Sequence, residues 1–358
     1  MKNILLQNFN ISDFQKDLIN WYQANKRDLP WRKDQDPYKV WVSEIMLQQT
    51  KVDTVIPYFH CFISNFPTVE ALAAADQQDV LKSWEGLGYY SRARNLQNAV
   101  REVVASYDGV VPDNPKELGD LKGIGPYTKG AILSIAYNKP EPAVDGNVMR
   151  VFSRLFYIED DIAQPKTRKL FEAYVREVID HDDPSSFNQA VMELGAIICT
   201  PKSPACMLCP VQEYCQAFSE GVQENLPVKK KAKKQRKIPY VALLIRTPED
   251  KYVIEKRSSD GLLADLWQFP MVPVGEIGYS HIESWFYQEY GISLNMKDHA
   301  GKLKHVFSHL IWELEIYHAE AELTTVEDER LRLVAKEDIA NYPFPVSHQK
   351  MMVHLNTV

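Results

Sequence analysis

Leu121-Lys122-Gly123-Ile124-Gly125-Pro126-Tyr127-Thr128-Lys129-Gly130 places a Gly-x-Gly turn directly before an apolar run, Ala131 to Tyr137, that reads as a helix. Glycines permit a tight turn whose backbone N–H groups point outward, and the N-terminus of the following helix adds a field that favours an anion. A hairpin of this kind can hold a phosphate without a charged side chain. A Gly-x-Gly turn alone is more often structural, so its surroundings decide its meaning. Downstream lies Pro142-Ala143-Val144-Asp145-Gly146-Asn147-Val148-Met149-Arg150, in which Asp145 stands on a turn between apolar residues and Gly146. In isolation such an aspartate is most often a cap or turn residue.

Outward from this stretch, apolar residues recur at helical spacing from about Ser12 to Ala217, with Pro and Gly between segments. That half reads as all-α. Beyond Ile238 the pattern changes. Val241-Ala242-Leu243-Leu244-Ile245 and Tyr252-Val253-Ile254 flank Pro248-Glu249-Asp250, a hairpin signal, and Leu310, Trp312, Leu314 and Ile316 alternate with mostly polar neighbours. The second half therefore reads as a small α+β domain with a helix near His281 to Tyr290. A basic run, Lys229, Lys230, Lys231, Lys233, Lys234, Arg236 and Lys237, separates the halves; it reads first as a solvated linker and second as a phosphate-tracking segment. The expected domains are 1–228, a linker at 229–237, and 238–358.

The 358 residues, 45% hydrophobic and 25% charged, suit two or three domains with separate cores. A net charge of -7 argues against indiscriminate nucleic-acid binding, so any such contact must be local. The start, Met1-Lys2-Asn3-Ile4-Leu5-Leu6, lacks the pattern of a secretory signal, and no apolar run reaches membrane-spanning length. An intracellular protein without membrane contact is expected.

Four of the five cysteines form a C-x6-C-x2-C-x5-C cluster, Cys199, Cys206, Cys209 and Cys215, in one Pro-containing segment. Disulfides are not expected inside a cell, and four thiolates this close in sequence can share one metal centre. Spacing alone admits tetrahedral zinc or an iron–sulfur cluster. Cys61, in an apolar helical stretch, reads as a packed core thiol.

The cysteine spacing resembles the 4Fe-4S loop of the endonuclease III superfamily of DNA glycosylases, and the Gly-rich hairpin followed by Asp145 matches that superfamily's helix-hairpin-helix signature. Asp28-Leu29-Pro30-Trp31-Arg32, Val42-Ser43-Glu44-Ile45-Met46-Leu47-Gln48-Gln49-Thr50 and Gly86-Leu87-Gly88-Tyr89-Tyr90-Ser91-Arg92 resemble the adenine-specific MutY family within it. The resemblance implies a 4Fe-4S cluster on the four cysteines and a substrate of adenine opposite 8-oxoguanine or guanine in duplex DNA. It makes Glu44 the acid that protonates adenine at N7 and Asp145 the carboxylate that stabilises the cationic sugar. Apolar neighbours around Glu44 would raise its pKa and keep it protonated near neutrality.

Tyr127 occupies the position where bifunctional relatives carry a Schiff-base lysine, which implies a monofunctional enzyme that leaves an abasic site. By the same resemblance Gln49 and Tyr89 are wedge residues that fill the gap left by an extruded base. Thr50 and Leu87 lie near the orphan base, Gly123 and Gly125 grip the backbone, and Arg32 and Gln189 line the adenine pocket.

The second half resembles the Nudix-fold domain appended to these enzymes. Aligning Gly291 with the closing glycine of the Nudix box puts Gln288, Glu289, Trp285 and Ser284 where a hydrolase carries three acids and an arginine. Only Glu289 survives, too little to hold magnesium for pyrophosphate cleavage. Phe307-Ser308-His309 matches the family motif that contacts 8-oxoguanine, with Ser308 and His309 the implied contacts. A monomer in the bacterial cytoplasm, associated with the nucleoid, is the expected state.

Overall fold

The computed structural model describes residues 9–230 and 235–356. The opening Met1–Leu6 stretch and Lys231, Lys233 and Lys234 of the basic run lie outside the described residues. The chain divides into two compact units, Met1–Ala74 with Asn98–Lys231, and Ala75–Gln97 with Ala232–Val358.

The helices of the first half are α1 (Ile11–Asn25), α2 (Pro37–Leu47), α3 (Val52–Asn65), α4 (Val69–Ala74), α5 (Gln77–Ser83), α6 (Ser91–Ser106), α7 (Pro115–Asp120), α8 (Pro126–Ile135), α9 (Gly146–Leu155), α10 (Pro165–Val178), α11 (Pro184–Ile197) and α12 (Gln216–Ser219). Many begin with a cap followed by proline at the first helical position, where its missing N–H costs nothing. Asp36 accepts from the amides of Tyr38 and Lys39 ahead of Pro37; Asn114 does the same for Lys116 and Glu117 ahead of Pro115. The helix expected from Ala131 begins instead at Pro126, which Gly125 precedes as N-cap, and it ends at Ile135.

Cys61 departs from its expected place in the core: it is exposed. In α3 the buried face is Val55, Phe59 and Phe62, and Cys61 falls beside it, where Asn65 Nδ2 lies 3.7 Å from its sulfur.

The core of the helical unit gathers Phe14 and Leu18 from α1, Val148 and Phe152 from α9, Phe171 and Val175 from α10, and Phe187 and Val191 from α11. Two glycines allow backbones to meet here. A Cβ on Gly130 of α8 would stand 1.9 Å from the carbonyl oxygen of Pro142, and one on Gly195 of α11 would stand 2.7 Å from Cβ of Asn147. Both contacts press the Pro142–Asn147 segment into place, and Asp145 sits within it.

The second unit is a seven-stranded sheet: β1 (Arg236–Arg246), β2 (Lys251–Lys256), β3 (Trp267–Gln268), β4 (Met271–Val272), β5 (Asn295–Val306), β6 (Leu310–Glu320) and β7 (Leu331–Ala335). Its order is β3-β2-β1-β6-β5, with β4 on β1 and β7 on β2. The hairpin read from Pro248–Asp250 joins β1 to β2, closing at Arg246 opposite Tyr252. β1 pairs in parallel with β6 from Arg236 opposite Leu310 to Arg246 opposite Glu320, so Arg236 and Lys237, expected in the linker, belong to the sheet.

Alternation along β1 buries both faces. Val241, Leu243 and Ile245 meet Ile282 and Phe286 of α13 (Ile282–Tyr290), while Ala242 and Leu244 join Trp267, Phe269 and Trp312 on the other side.

Residues 75–97 belong to this unit through polar contacts. Arg94 Nη1 lies 2.9 Å from Asp265 Oδ2, Trp267 Nε1 donates to Gln78 Oε1 at 2.9 Å, and the amide of Phe344 donates to Glu85 Oε1 at 2.7 Å.

Gly130→Ala is expected to destabilise the protein by about 1–3 kcal/mol, because the added methyl meets backbone rather than a movable side chain. Urea unfolding followed by circular dichroism measures this; a wild-type midpoint would mean that α8 and the Pro142 segment are not in such close contact.

Candidate active site

A cavity of about 630 Å³ opens in the helical unit. Its wall includes Glu44, Tyr127, Asp145, Arg32 and Gln189, together with Gln49, Thr50, Gly123 and Gly125. Residues far apart in the chain, chosen from separate motifs, therefore share one concave surface.

Glu44 projects from α2, a helix of mostly apolar residues, and is 5% exposed. The Tyr127 phenol of α8 donates to its Oε2. Burial pushes the Glu44 pKa from 4.5 up to about 7; the tyrosine hydrogen bond works against that shift and the charge of Asp145 adds to it. The Tyr127 phenol itself is raised well above its ordinary range by burial and by the two carboxyl groups, so it remains a donor. A carboxyl poised near 7 can release a proton at neutral pH.

Asp145 is the N-cap of α9. Its Oδ1 accepts from the Val148 amide at 2.7 Å and its Oδ2 from Asn147 Nδ2 at 2.9 Å. Burial raises its pKa, and these two donors oppose the rise by favouring the charged form. The structural reading of this aspartate as a cap is thus correct, and the cap faces the cavity. Arg168 of α10 holds the preceding residue, donating from Nη2 to the Val144 carbonyl at 2.6 Å.

Arg32 does not stand free in the cavity wall. Its Nη2 lies 2.8 Å from Glu193 Oε2, and Arg27 reaches the same carboxylate through Nε at 2.7 Å and Nη2 at 2.9 Å. Burial alone would raise the Glu193 pKa, but the hydrogen bonds from Arg27 and Arg32 outweigh it and hold the group at about 2. Gln189, one turn before Glu193 on α11, donates from Nε2 to Ser185 Oγ at 3.2 Å. Glu193, Arg27, Asn147 and Arg168 line the same cavity and were not singled out from the sequence. An acidic residue inside the apolar run of α11 was the available signal for Glu193.

Gln49 is exposed at the end of α2 with a left-handed φ of 58°, and Thr50 follows with its amide donating to the Leu47 carbonyl at 3.2 Å. Gly123 has φ 85°, a value that L side chains rarely adopt, in the turn between α7 and α8.

The four clustered cysteines ring a small cavity of about 30 Å³ with Arg154. Burial pushes the thiols of Cys209 and Cys215 up to about 12 and 11, so holding them as thiolates requires a strongly electropositive centre. Arg154 supplies part of that field, with Nη1 3.2 Å from Cys199 Sγ. Among the described residues, no three Cys, His, Asp or Glu side chains are gathered as ligands of a single ion. Four thiols around one small cavity form a donor set that suits a metal–sulfur centre.

The sheet unit carries its own cavity, of about 430 Å³, lined by Tyr89, Ser91, Arg94, Phe307, Ser308 and His309 among others. Ser308 and His309 are exposed in the turn between β5 and β6, 3.4 Å apart between Oγ and Nδ1. Phe307 anchors the turn, its ring 4.5 Å from that of His305 and 4.8 Å from that of Trp312. Tyr89 is 45% exposed, whereas Leu87 is buried. The surviving Nudix carboxylate, Glu289, is tied to Arg330 at 2.8 Å.

Comparison with known proteins places these features together. The family described as HhH-GPD superfamily base excision DNA repair protein matches residues 42–177, the iron-sulfur binding domain of endonuclease III matches 199–215, and the NUDIX domain matches 241–354. The adenine DNA glycosylase of Rattus norvegicus is 34% identical over 86% of this chain and 70% of its own length. That of Schizosaccharomyces pombe is 31% identical over 92% and 86%, and that of Buchnera aphidicola subsp. Schizaphis graminum 38% over 72% and 74%. Among solved structures, a thermostable thymine-DNA glycosylase superposes with a TM-score of 0.55 at 26% identity, covering 60% of this chain and 99% of that one. The cysteine segment is thus a 4Fe-4S site of the endonuclease III type, and Cys199, Cys206, Cys209 and Cys215 all lie within the matched residues.

The raised pKa of Glu44 has a stability consequence. A carboxyl whose folded value exceeds its unfolded one contributes stability below the unfolded value, and that contribution is lost as pH rises through the folded value. For Glu44 the window runs from 4.5 to about 7. Glu44→Gln, which cannot ionise, should gain stability over wild type by on the order of 3 kcal/mol between about pH 4 and pH 8. Parallel unfolding curves for the two proteins across that range would refute the assignment of Glu44 as the uncompensated buried acid.

Proposed function

The chain belongs to the adenine DNA glycosylase family, and we propose on that premise that its preferred substrate is adenine mispaired with 8-oxoguanine, with guanine a weaker partner base. It cleaves the N-glycosyl bond of adenine in DNA. We take 1–228 as the catalytic domain and 238–358 as the domain that reads the lesion, acting as a monomer in the cytoplasm at the nucleoid. No helix among the described residues is long and apolar enough to cross a membrane.

One observation carries the catalytic reading: a buried carboxyl with pKa about 7, hydrogen-bonded to Tyr127, shares a cavity with a second, capped carboxyl. Glu44 gives its proton to N7 of the extruded adenine. The glycosidic electron pair then leaves with the base, and Asp145 faces the positive charge that develops on the sugar. Two carboxyl groups in unlike environments supply an acid and an anion at once. The Asp145 carboxylate is held for this by Val148 and Asn147. Water then adds to the sugar carbon, with Glu44 taking up or relaying its proton.

Tyr127 carries a phenol, which cannot form a Schiff base with the sugar, so the reaction stops at an abasic site. Arg32 is oriented by Glu193 and Gln189 by Ser185 at the base-binding end of the cavity. Cys199, Cys206, Cys209 and Cys215 would hold a 4Fe-4S cluster, whose thiolate bonds would tie their loop together. Lesion reading is supported by the second cavity, where Ser308, His309 and the wedge residue Tyr89 line one surface. A serine hydroxyl both donates and accepts, which suits the N7 hydrogen and O8 that set 8-oxoguanine apart from guanine. The ion pair of Glu289 with Arg330 leaves no free Nudix carboxylate at that position for magnesium.

Duplexes with adenine opposite 8-oxoguanine, guanine or thymine, treated with and without alkali, test the substrate and the monofunctional reading together. Strand breaks should appear only after alkali, and Glu44→Gln should bind the lesion duplex while excising about 10²-fold more slowly or worse. Strand scission by the wild type without alkali, or near-normal single-turnover excision by the variant, contradicts the scheme.

Replacing Ser308 and His309 together by alanine should narrow the preference for 8-oxoguanine over guanine more than it slows excision at saturating enzyme, because a lost hydrogen bond of about 1 kcal/mol acts in recognition. The measurement is relative single-turnover efficiency at subsaturating enzyme. An unchanged preference removes the reading role from this turn.

A further inference from the structure

Arg92, in the first turn of α6, folds back over the turn that precedes the helix. Its Nη2 donates to the carbonyl of Leu87 at 3.2 Å and to that of Gly88 at 3.1 Å. The guanidinium carbon lies 5.4 Å from the ring centre of Trp84 and 5.6 Å from that of Tyr89. The Gly88 carbonyl also accepts from Trp84 Nε1 at 3.3 Å, and the Gly86 amide donates to the Tyr90 hydroxyl at 3.1 Å.

The turn held this way has a costly backbone. Gly86, Gly88 and Tyr89 have φ values of 100°, 71° and 47°. Glycine adopts such values freely, but tyrosine does not, because its Cβ crowds the following carbonyl. A strained residue persists only where its surroundings over-determine it, and such residues concentrate at sites of function. Here the surroundings include a guanidinium that fixes two consecutive carbonyls just before Tyr89 and also lies near its ring.

We propose that Arg92 is a positioning residue that sets Tyr89 in its exposed, left-handed pose before DNA arrives. The proposal rests on the reading of Tyr89 as a wedge. A wedge ordered in advance does not have to be ordered during binding, so the gain appears in the affinity for duplex whose bases must be parted. Arginine suits the task better than lysine. Its planar fork can serve two carbonyls and stack against rings, whereas an ammonium is a point charge.

The test uses full-length, cluster-containing protein in the Glu44→Gln background, so that DNA is bound but not cut. Arg92→Leu, Arg92→Lys, Tyr89→Ala and the Tyr89→Ala/Arg92→Leu double variant are titrated with a duplex carrying adenine opposite 8-oxoguanine, with 2-aminopurine beside the mispair to report unstacking. Arg92→Leu should weaken binding about tenfold and lower the fluorescence rise, and Arg92→Lys should restore only part of both. The double variant should bind no more weakly than Tyr89→Ala alone, since both changes remove the same wedge.

Additive losses, or a wild-type signal from Arg92→Leu beside a weakened Tyr89→Ala, overturn the positioning role. A full signal from Tyr89→Ala overturns the wedge reading instead, and the role of Arg92 with it. If the leucine variant unfolds, as a thermal melt would reveal, Arg92→Lys carries the test: a reduced signal supports the proposal and a wild-type one overturns it.

Discussion

The helical unit buries two glutamates in one cavity wall and treats them oppositely. Glu193 is surrounded by Arg27 and Arg32 and is held near pKa 2, while Glu44 is met by a phenol and rises to about 7. Removing a carboxylate from water costs several kcal/mol unless a cation and hydrogen bonds replace the lost solvent. Glu193 receives that compensation and serves as a fixed anion that aims two guanidinium groups. Glu44 is denied it, and so keeps its proton. Exchanging the two environments would leave the residues in place and abolish the acid. The packing of α2 against α8 is therefore as much a part of the chemistry as the carboxyl group.

Much of this arrangement was legible in the sequence because it rests on local signals. Proline after a capping residue marks helix starts, Gly-x-Gly marks the α7–α8 turn, and four cysteines in one short segment mark a metal loop. The apolar neighbours of Glu44 foretold its raised pKa. What escaped is non-local. The pairing of Glu193 with Arg27 and Arg32 spans more than a hundred and sixty positions, as the separations 166 and 161 record. Cys61 was misplaced for a different reason. An apolar stretch does not fix which of its residues face the core, and in α3 the buried face is that of Val55, Phe59 and Phe62. The start of β1 at Arg236 reflects pairing with β6, which a run of basic residues does not reveal.

The two cavities differ in the kind of selectivity each can offer. The one around Glu44 is lined with charged and polar groups held by their own partners, so a base that enters must match donors and acceptors already fixed in direction. A site of that kind rejects a mismatched base by leaving its polar groups unpaired. The one beside Ser308 is shaped by aromatic and aliphatic side chains, with a hydroxyl and an imidazole exposed on a turn. On the proposed reading, discrimination there would depend on a few hydrogen bonds presented by a short loop that Phe307 anchors.

The membership of residues 75–97 in the sheet unit carries a consequence for the order of assembly. Gln78, Arg94 and Glu85 find partners 189, 171 and 259 positions later in the chain. As the polypeptide leaves the ribosome, α5 and the turn bearing Tyr89 must wait until most of the remaining chain has been made, and contacts of such span close late because loop entropy opposes them. A chain cut at the basic run would keep the residues of the proposed catalytic domain and lose the rest of the unit to which residues 75–97 belong. It would be a protein with Gln78, Glu85 and Arg94 deprived of these partners, exposed to the proteases and chaperones that sort incompletely folded chains.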